Sequence, residues 1–519
     1  MLNVRCSTQH PTPSTQPKLK KLFFLLFLLV CNFGFSQKQT KIQIINADYT
    51  EADQNEMPDA VLLTGNVQVV HEGATMYCNK AYLFQKENKI RTFGNVHIVQ
   101  GDTLFLDSKY AEYDGNTRIA LAKGNVVMRD PEMTLTTEQI HFDRNTQQSY
   151  YNSGGTIVNA NNVLASKAGT YYASEKTFRF REQVVVTNPE YVIKTNHLDY
   201  NTFTGEADML NPSTITSENN FIYTEKGKYN TKTNISNLTK NSHIIYDDRR
   251  IEGDSIYYDR NIEFASATDN VKITDTINKT IARGNYGEVY RLQDSLILTK
   301  KPLVATQSED QDTLYTSAQR IIITGKQGER IVRAYKDARF YKTDMSGKAD
   351  SIHSSEITGI TQLIGRPVLW NGESQMTGDL MHLLSDKKTQ KLDSLKVYNN
   401  VFIVEKDTLG SGYNQVKGQN LFGRFQGGKL AEVDIIKNTE MIYYIYSEGE
   451  LYGIDKNISS KINLLFVDNE IDTMTFHTDV KAETYPEEEL PENARKLRGF
   501  IWRGNERIKS IEEVIVSDE

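Results

Sequence analysis

Three cysteines in 519 residues leave little room for covalent bracing. Only Cys78 lies beyond the N-terminal 36 residues, so an intrachain disulfide in the body is excluded. Proline is scarce at 11 residues, and so is tryptophan at two. The nine histidines are scattered, with no His-x-His or His-x-x-x-His pair of the kind that holds a metal. A Gly-x-Ser-x-Gly elbow, a phosphate loop and a dinucleotide fingerprint are missing too. No catalytic residue, cofactor or metal site is therefore expected. Positive charge is not in excess either: the net charge is −7, which argues against nucleic acid as a partner.

Long apolar runs are limited to one. Lys18, Lys20 and Lys21 precede Leu22 to Cys31, and Gly34-Phe35-Ser36 follow. The run is too short to span a bilayer comfortably and has the flanks of a cleavable signal peptide, residues 1–36. A lipoprotein acylated at Cys31 is the rival reading, disfavoured by the bulk of Val30. Cleavage removes Arg5, Lys18, Lys20 and Lys21 and moves the net charge from −7 to −11. The expected product is an exported protein held by burial and backbone pairing.

What the chain does have is tyrosine (28), phenylalanine (21) and many β-branched residues, which suit pleated surfaces. The aromatics fall on a ruler. Phe84, Tyr113, Phe142, Tyr171, Tyr200, Tyr229 and Tyr258 each lie 29 residues from the next. A fixed long period means one structural unit copied along an axis. Asp114, Asp143, Asn201, Asn230 and Asp259 follow five of them and end the strand by bonding nearby backbone. The residue two before each aromatic, such as Ala111, Ile140 or Leu198, shares its face.

A second motif recurs at Gly65-Asn66-Val67, Gly94-Asn95-Val96 and Gly124-Asn125-Val126. Gly-Asn permits positive dihedrals and reads as a tight turn between strands. Alternating strands follow, with Val67 and Val69, Val96 and Ile98, Val126 and Met128 on one face. Leu104 and Leu106 follow Gly101-Asp102 in the same way. The aromatics read as a structural column. The alternating aliphatic residues read either as a ligand-contacting strip or as closed core. Cys78 reads as a small buried hydrophobe.

The ruler loosens after Tyr258, with degenerate copies near Asp337 and Asn399. The expected organisation is residues 37–260 as a first repeat segment, 261–436 as a second, diverged one, and 437–519 as a terminal cap or tail. Glu487 to Lys496 suits a short helix or an exposed acidic turn.

Gly-Asn-Val, an alternating strand, Gly101 to Leu104, then Lys109 to Asp114 resembles the OstA/LptA family of lipopolysaccharide transport proteins. The resemblance is closest at residues 65–85, 94–114, 124–143 and 253–259. It implies an all-β fold: an open β-jellyroll or solenoid of V-shaped rungs, about 29 residues each, around an apolar groove. It further implies a periplasmic carrier that binds the acyl chains of lipid A and meets an inner-membrane complex and an outer-membrane translocon. Val67, Val69, Val96, Ile98, Leu104, Leu106, Val126 and Met128 are the expected groove residues. Open terminal edges suggest end-to-end self-association by strand addition. Two other readings are an exported β-helix that acts on or adheres to polysaccharide, and a purely structural periplasmic scaffold.

Overall fold

Alternation of period two sets the local structure. In strand Val61–His71 (VLLTGNVQVVH), Leu63, Val67 and Val69 are buried while Thr64 and Asn66 face solvent. Side chains of successive strand residues point to opposite faces, so one face can be buried along the whole strand. The computed structural model describes residues 40–517 apart from 53–58, 309–311, 388, 390, 428 and 468–469. The expected signal peptide and Cys31 lie outside these residues. Two compact units divide at Gly124 and Asn125. In each, the described sheet is antiparallel; the few helices among the described residues are short turns, one at Arg291–Gln293 and the rest from Glu487 on.

The Gly-Asn pairs do not reverse the chain, as the sequence suggests they should. Gly65 (φ 77°) and Asn66 (φ 42°) sit inside Val61–His71, both left-handed. Thr64 pairs with Lys80 and Val67 with Cys78, so two residues face the single Asn79. That is a β-bulge, and it bends the strand. The reversals lie elsewhere, at Glu72-Gly73 and at Gln85 to Asn88. Two left-handed residues satisfy a two-residue turn or a bulge equally well, which is why the motif misleads. Pairs without glycine take the same place in the second unit: Glu182-Gln183, Asp269-Asn270, Lys336-Asp337 and Asn399-Asn400 all have positive φ at both residues and a register shift. One repeat is therefore two bent strands.

The bend folds each strand back on itself. A straight eleven-residue strand spans about 33 Å. His71 closes Val61–His71, while Tyr113 lies alongside Ile90 near the opposite end of the ladder. Their side chains nevertheless bond, Nδ1 to hydroxyl, at 2.9 Å. The strands are V-shaped, with a first arm before the corner and a second arm after it. In the second unit Tyr200 and Asn159 close the same gap at 2.8 Å.

A Cβ on Gly65 would lie 2.3 Å from Asp48 Oδ2, and the glycine φ is one that L-residues rarely adopt. Gly65→Ala is expected to destabilise the first unit by about 1–2 kcal/mol. Chemical denaturation checks this; an unchanged midpoint would remove the steric account of the corner.

Neither expected segment boundary coincides with a break in pairing. Ser255–Asp259 pairs with Phe264–Asp275 across residue 260, and Lys429–Ser447 runs through residue 436. Met441 to Tyr446 and Lys461 to Val467 belong to two long strands, Lys429–Ser447 and Glu450–Val467. Gly499 to Trp502 forms no strand. It lies in a strap, residues 486–517, that contains three-residue helices at Glu487–Glu489 and Glu492–Ala494.

The strap returns along the ladder. Leu490 and Leu497 pack on Phe402, Val404, Ile442, Tyr444 and Ile454. Ile508 and Val514 reach Leu303. Three buried polar side chains fasten it. Gln415 donates to the Arg495 carbonyl at 2.8 Å and accepts from the Leu497 amide at 2.9 Å. Gln375 donates to the Ile501 carbonyl and accepts from the Arg503 amide, and Ser317 accepts from the Val516 amide.

Candidate functional site

The candidate site is the interior between the two arms. In the first unit Val69, Met76, Ile98 and Leu106 are in register and form one interior column of the second arm. Val67 pairs with Cys78, and Val96 with Ser108, nearer the corner. Burial pushes the Cys78 thiol up to about 11, which keeps it an unreactive core group. Leu104 pairs with Gln100 at the arm tip. Val67, Val69, Val96 and Leu106 are buried, whereas Ile98 and Leu104 are half-buried. Val126 and Met128 are buried in the second unit. The structure thus brings Val69, Ile98 and Leu106 together in the first unit and leaves Val67, Val96 and Leu104 on the same strand faces, while Val126 and Met128 belong to the second unit.

The aromatic ruler forms the first arm's mouth-side column in the second unit. The register runs Tyr171, Phe178, Tyr200, Ala207, Tyr229, Ser236, Tyr258, Ala265. From Tyr200 on, large alternates with small, which lets rings fill a column of strands only about 4.8 Å apart. Tyr113, Tyr171, Tyr200, Tyr229 and Tyr258 are buried, and Phe142 is half-buried. Phe84 is the exception: Leu83 takes the interior position, and Phe84 lies outside under the Arg91 guanidinium at 5.3 Å. Gly65 to Gly94 spans 29 residues and Gly94 to Gly124 spans 30, and one extra residue flips a strand's faces.

The tyrosines do more than fill space, and this the sequence did not reveal. Their hydroxyls reach the polar tip of the second arm. Tyr171 donates to Asp130 Oδ2 at 2.8 Å and Tyr200 to Asn159 Oδ1 at 2.8 Å. Tyr258 accepts from Asn220 Nδ2 at 2.9 Å. Burial is the main cause that raises the Tyr171 hydroxyl above its ordinary pKa, with Asp130 adding to it, so it stays a donor. Ion pairs run alongside: Arg260 with Glu190 at 3.0 Å and Arg291 with Asp247 at 3.3 Å. In the first unit Arg118 meets Glu72 at 2.6 Å beside the His71–Tyr113 bond. These contacts form a clasp across the mouth. A signal was present in the sequence: Tyr171 and Tyr200 each follow an Asx residue by 41 positions, at Asp130 and Asn159.

Residues 39–196 match the model of the OstA-like protein family. The chain resembles that family over this stretch, 158 of its 519 residues. The OstA-like region takes in the whole described first unit and the second unit's first corners. A solved structure similar to the chain is LptH from Pseudomonas aeruginosa, described as the LptA-homologous periplasmic component of the conserved lipopolysaccharide transport device. Identity is 14%, the alignment covers 27% of this chain and 95% of LptH, and the TM-score is 0.21. At that score the fold rests on the strand pairing above. No curated protein sequence matches the chain.

Among the described residues no group of three or more His, Cys, Asp or Glu is placed to hold a metal ion. What the arrangement offers is an apolar space between two sheets with a polar rim.

Proposed function

We propose that the chain is a non-catalytic periplasmic protein that binds lipopolysaccharide and carries or bridges it from the inner to the outer membrane, acyl chains between the arms. The observation that carries this reading is the interior itself: apolar columns such as Val69, Met76, Ile98 and Leu106 run from strand to strand. The OstA-like match over residues 39–196 supports the same reading. Hydrophobic contact is non-directional and each buried methylene contributes about 0.8 kcal/mol, so a chain can shift between similar rungs at little cost.

On this reading Val67, Val69, Val96, Ile98, Leu104, Leu106, Val126 and Met128 line the path. Docking partners are an inner-membrane transport complex and an outer-membrane translocon. Gln43–Asn46 pairs only with Val61–His71 among the described residues, which leaves an edge for end-to-end strand addition. A photo-crosslinking side chain at Val69, Ile98 or Met128 is expected to transfer label to lipopolysaccharide in intact cells. No transfer from any of the three would overturn the assignment.

A further inference from the structure

The first arm's outer face changes character along the second unit. In the earlier rungs its middle column alternates in charge: Arg179 lies opposite Asp199 and Lys228 opposite Asp208, with ion pairs at 3.6 and 3.2 Å. Six adjacent strands further on carry a different pattern. Residues 320–324, 331–335, 351–355, 360–364, 380–384 and 394–398 run side by side. Ile321, Ala334, Ile352, Leu363, Met381 and Leu395 are buried in the interior, so the residues beside them along each strand point outward.

The outward middle column reads Ile322, Arg333, His353, Gln362, His382 and Lys396 in register. Ile331, Ile360 and Leu384 flank it on the tip side, and Tyr335, Ile364 and Tyr398 on the corner side. None of the three columns contains Asp or Glu on these strands. Carboxylates of this arm sit at its edges: Glu356 pairs with Arg330 at 2.8 Å, Asp350 with Arg366 at 2.9 Å, and Asp393 is exposed in a bulge at the tip. The charge within the face is therefore positive and uncompensated. Burial first, and then Arg333, holds His353 below the ordinary imidazole range; burial and then Lys396 do the same for His382. All these outward positions are half-buried or exposed. On the second arm of the same rungs the strap covers the outer side, held by Gln375 and Ser317.

We propose that this acid-free outer face of the first arm rests on the surface of an anionic phospholipid bilayer. The proposal is independent of what occupies the interior. Composition argues for the partner. Arginine and lysine beside aliphatic side chains and tyrosine make the mixture that sits at a membrane interface, where cations meet phosphate and phenol rings lie at headgroup level. Area argues against a protein. Six strands of five residues make a face of about 29 Å by about 17 Å, roughly 500 Å², short of the about 800 Å² that each partner of a standard protein complex buries.

The test floats the chain, from Gln37 on, with vesicles of phosphatidylethanolamine mixed with phosphatidylglycerol, and with vesicles of phosphatidylcholine alone. Binding is expected to the anionic vesicles and is expected to fall with added salt. Arg333→Gln combined with Lys396→Gln is expected to weaken it at least about tenfold, since each charge near an anionic surface is worth roughly fivefold. Arg333→Lys combined with Lys396→Arg should bind like the parent, which separates charge from folding. Arg179→Gln combined with Lys228→Gln removes the same charge from the ion-paired rungs and should weaken binding less than about threefold. No binding to the anionic vesicles, equal binding to phosphatidylcholine, or an equal loss in both glutamine pairs would overturn the proposal. So would a loss in the charge-keeping pair as large as in Arg333→Gln with Lys396→Gln. None of these outcomes bears on acyl chains between the arms, which the crosslinks at Val69, Ile98 and Met128 test.

Discussion

Ending the chain at Tyr485 should melt the later rungs of the second unit at a markedly lower temperature. The strap's Leu490, Leu497, Ile508, Val514 and Val516 are each less than 8% exposed. Burial of one such side chain contributes about 1.5–3 kcal/mol. Their removal also strips Phe402, Val404 and Ile442 of cover on the outer side of the second arm. Val401 and Phe402 are consecutive and both buried, so this sheet is covered on both faces. One cover is the opposite arm and the other is the strap. Gln415 and Gln375, 1% exposed each, would exchange their bonds to the strap for bonds to water, at about 0.5–1.5 kcal/mol per bond. The expected result is a melting transition lower by roughly 5 °C or more, with binding of a hydrophobic dye. A truncated chain with unchanged melting and no dye binding would show that the strap is not structural.

Acid should loosen the strap in the full chain before it unfolds the arms. Glu506 is held down to about 2 from 4.5, first by its hydrogen bond to Arg503 and further by Lys348. A depressed carboxylate stabilises above its unfolded pKa, so this contribution is complete above about 4.5 and disappears as pH falls toward 2. Half-exposed as the group is, the contribution is screened and modest. The first dye binding on acidification is therefore expected in that window, and Glu506→Gln should show it already at neutral pH.

Replacing Tyr200 should have the second largest effect. Its ring is fully buried between Phe178 and Ala207, and its hydroxyl holds Asn159 of the other arm. Tyr200→Ala is expected to cost about 3–5 kcal/mol, the usual loss for a large buried aromatic. Tyr200→Phe keeps the ring and deletes only the bond, leaving a buried amide oxygen with one partner fewer, at about 1–3 kcal/mol. The gap between the two variants in chemical denaturation separates ring packing from the clasp. If Tyr200→Phe were as stable as the parent, the bonds across the mouth would be incidental.

The difference between column and clasp also shows how far the residues alone reach. A 29-residue interval is legible because identical chemistry is needed at each return of the chain. Asx residues after the aromatics are legible because their turn is local: Asp114 accepts from the Asn116 and Thr117 amides, and Asn201 from Phe203 and Thr204. Alternation marks Val67, Val69, Val126 and Met128 as one-faced, and all four are buried. Those facts depend on residues close in the chain.

The sequence by itself therefore determined an all-β repeat, its period, its strand faces and its turn-closing residues. The tertiary structure alone decided three things. Gly65-Asn66 is a corner and not a reversal, because positive dihedrals serve both and only the partner strand distinguishes them. Phe84 leaves the column, because a one-residue difference between repeats reverses a face without breaking a visible period. The mouth of the second unit is closed by Tyr200 with Asn159 and by Arg330 with Thr280, because these pairs meet only once strands bend and stack. Contacts across 41 or 50 residues leave no local signature, whereas a hydrogen-bonded turn does.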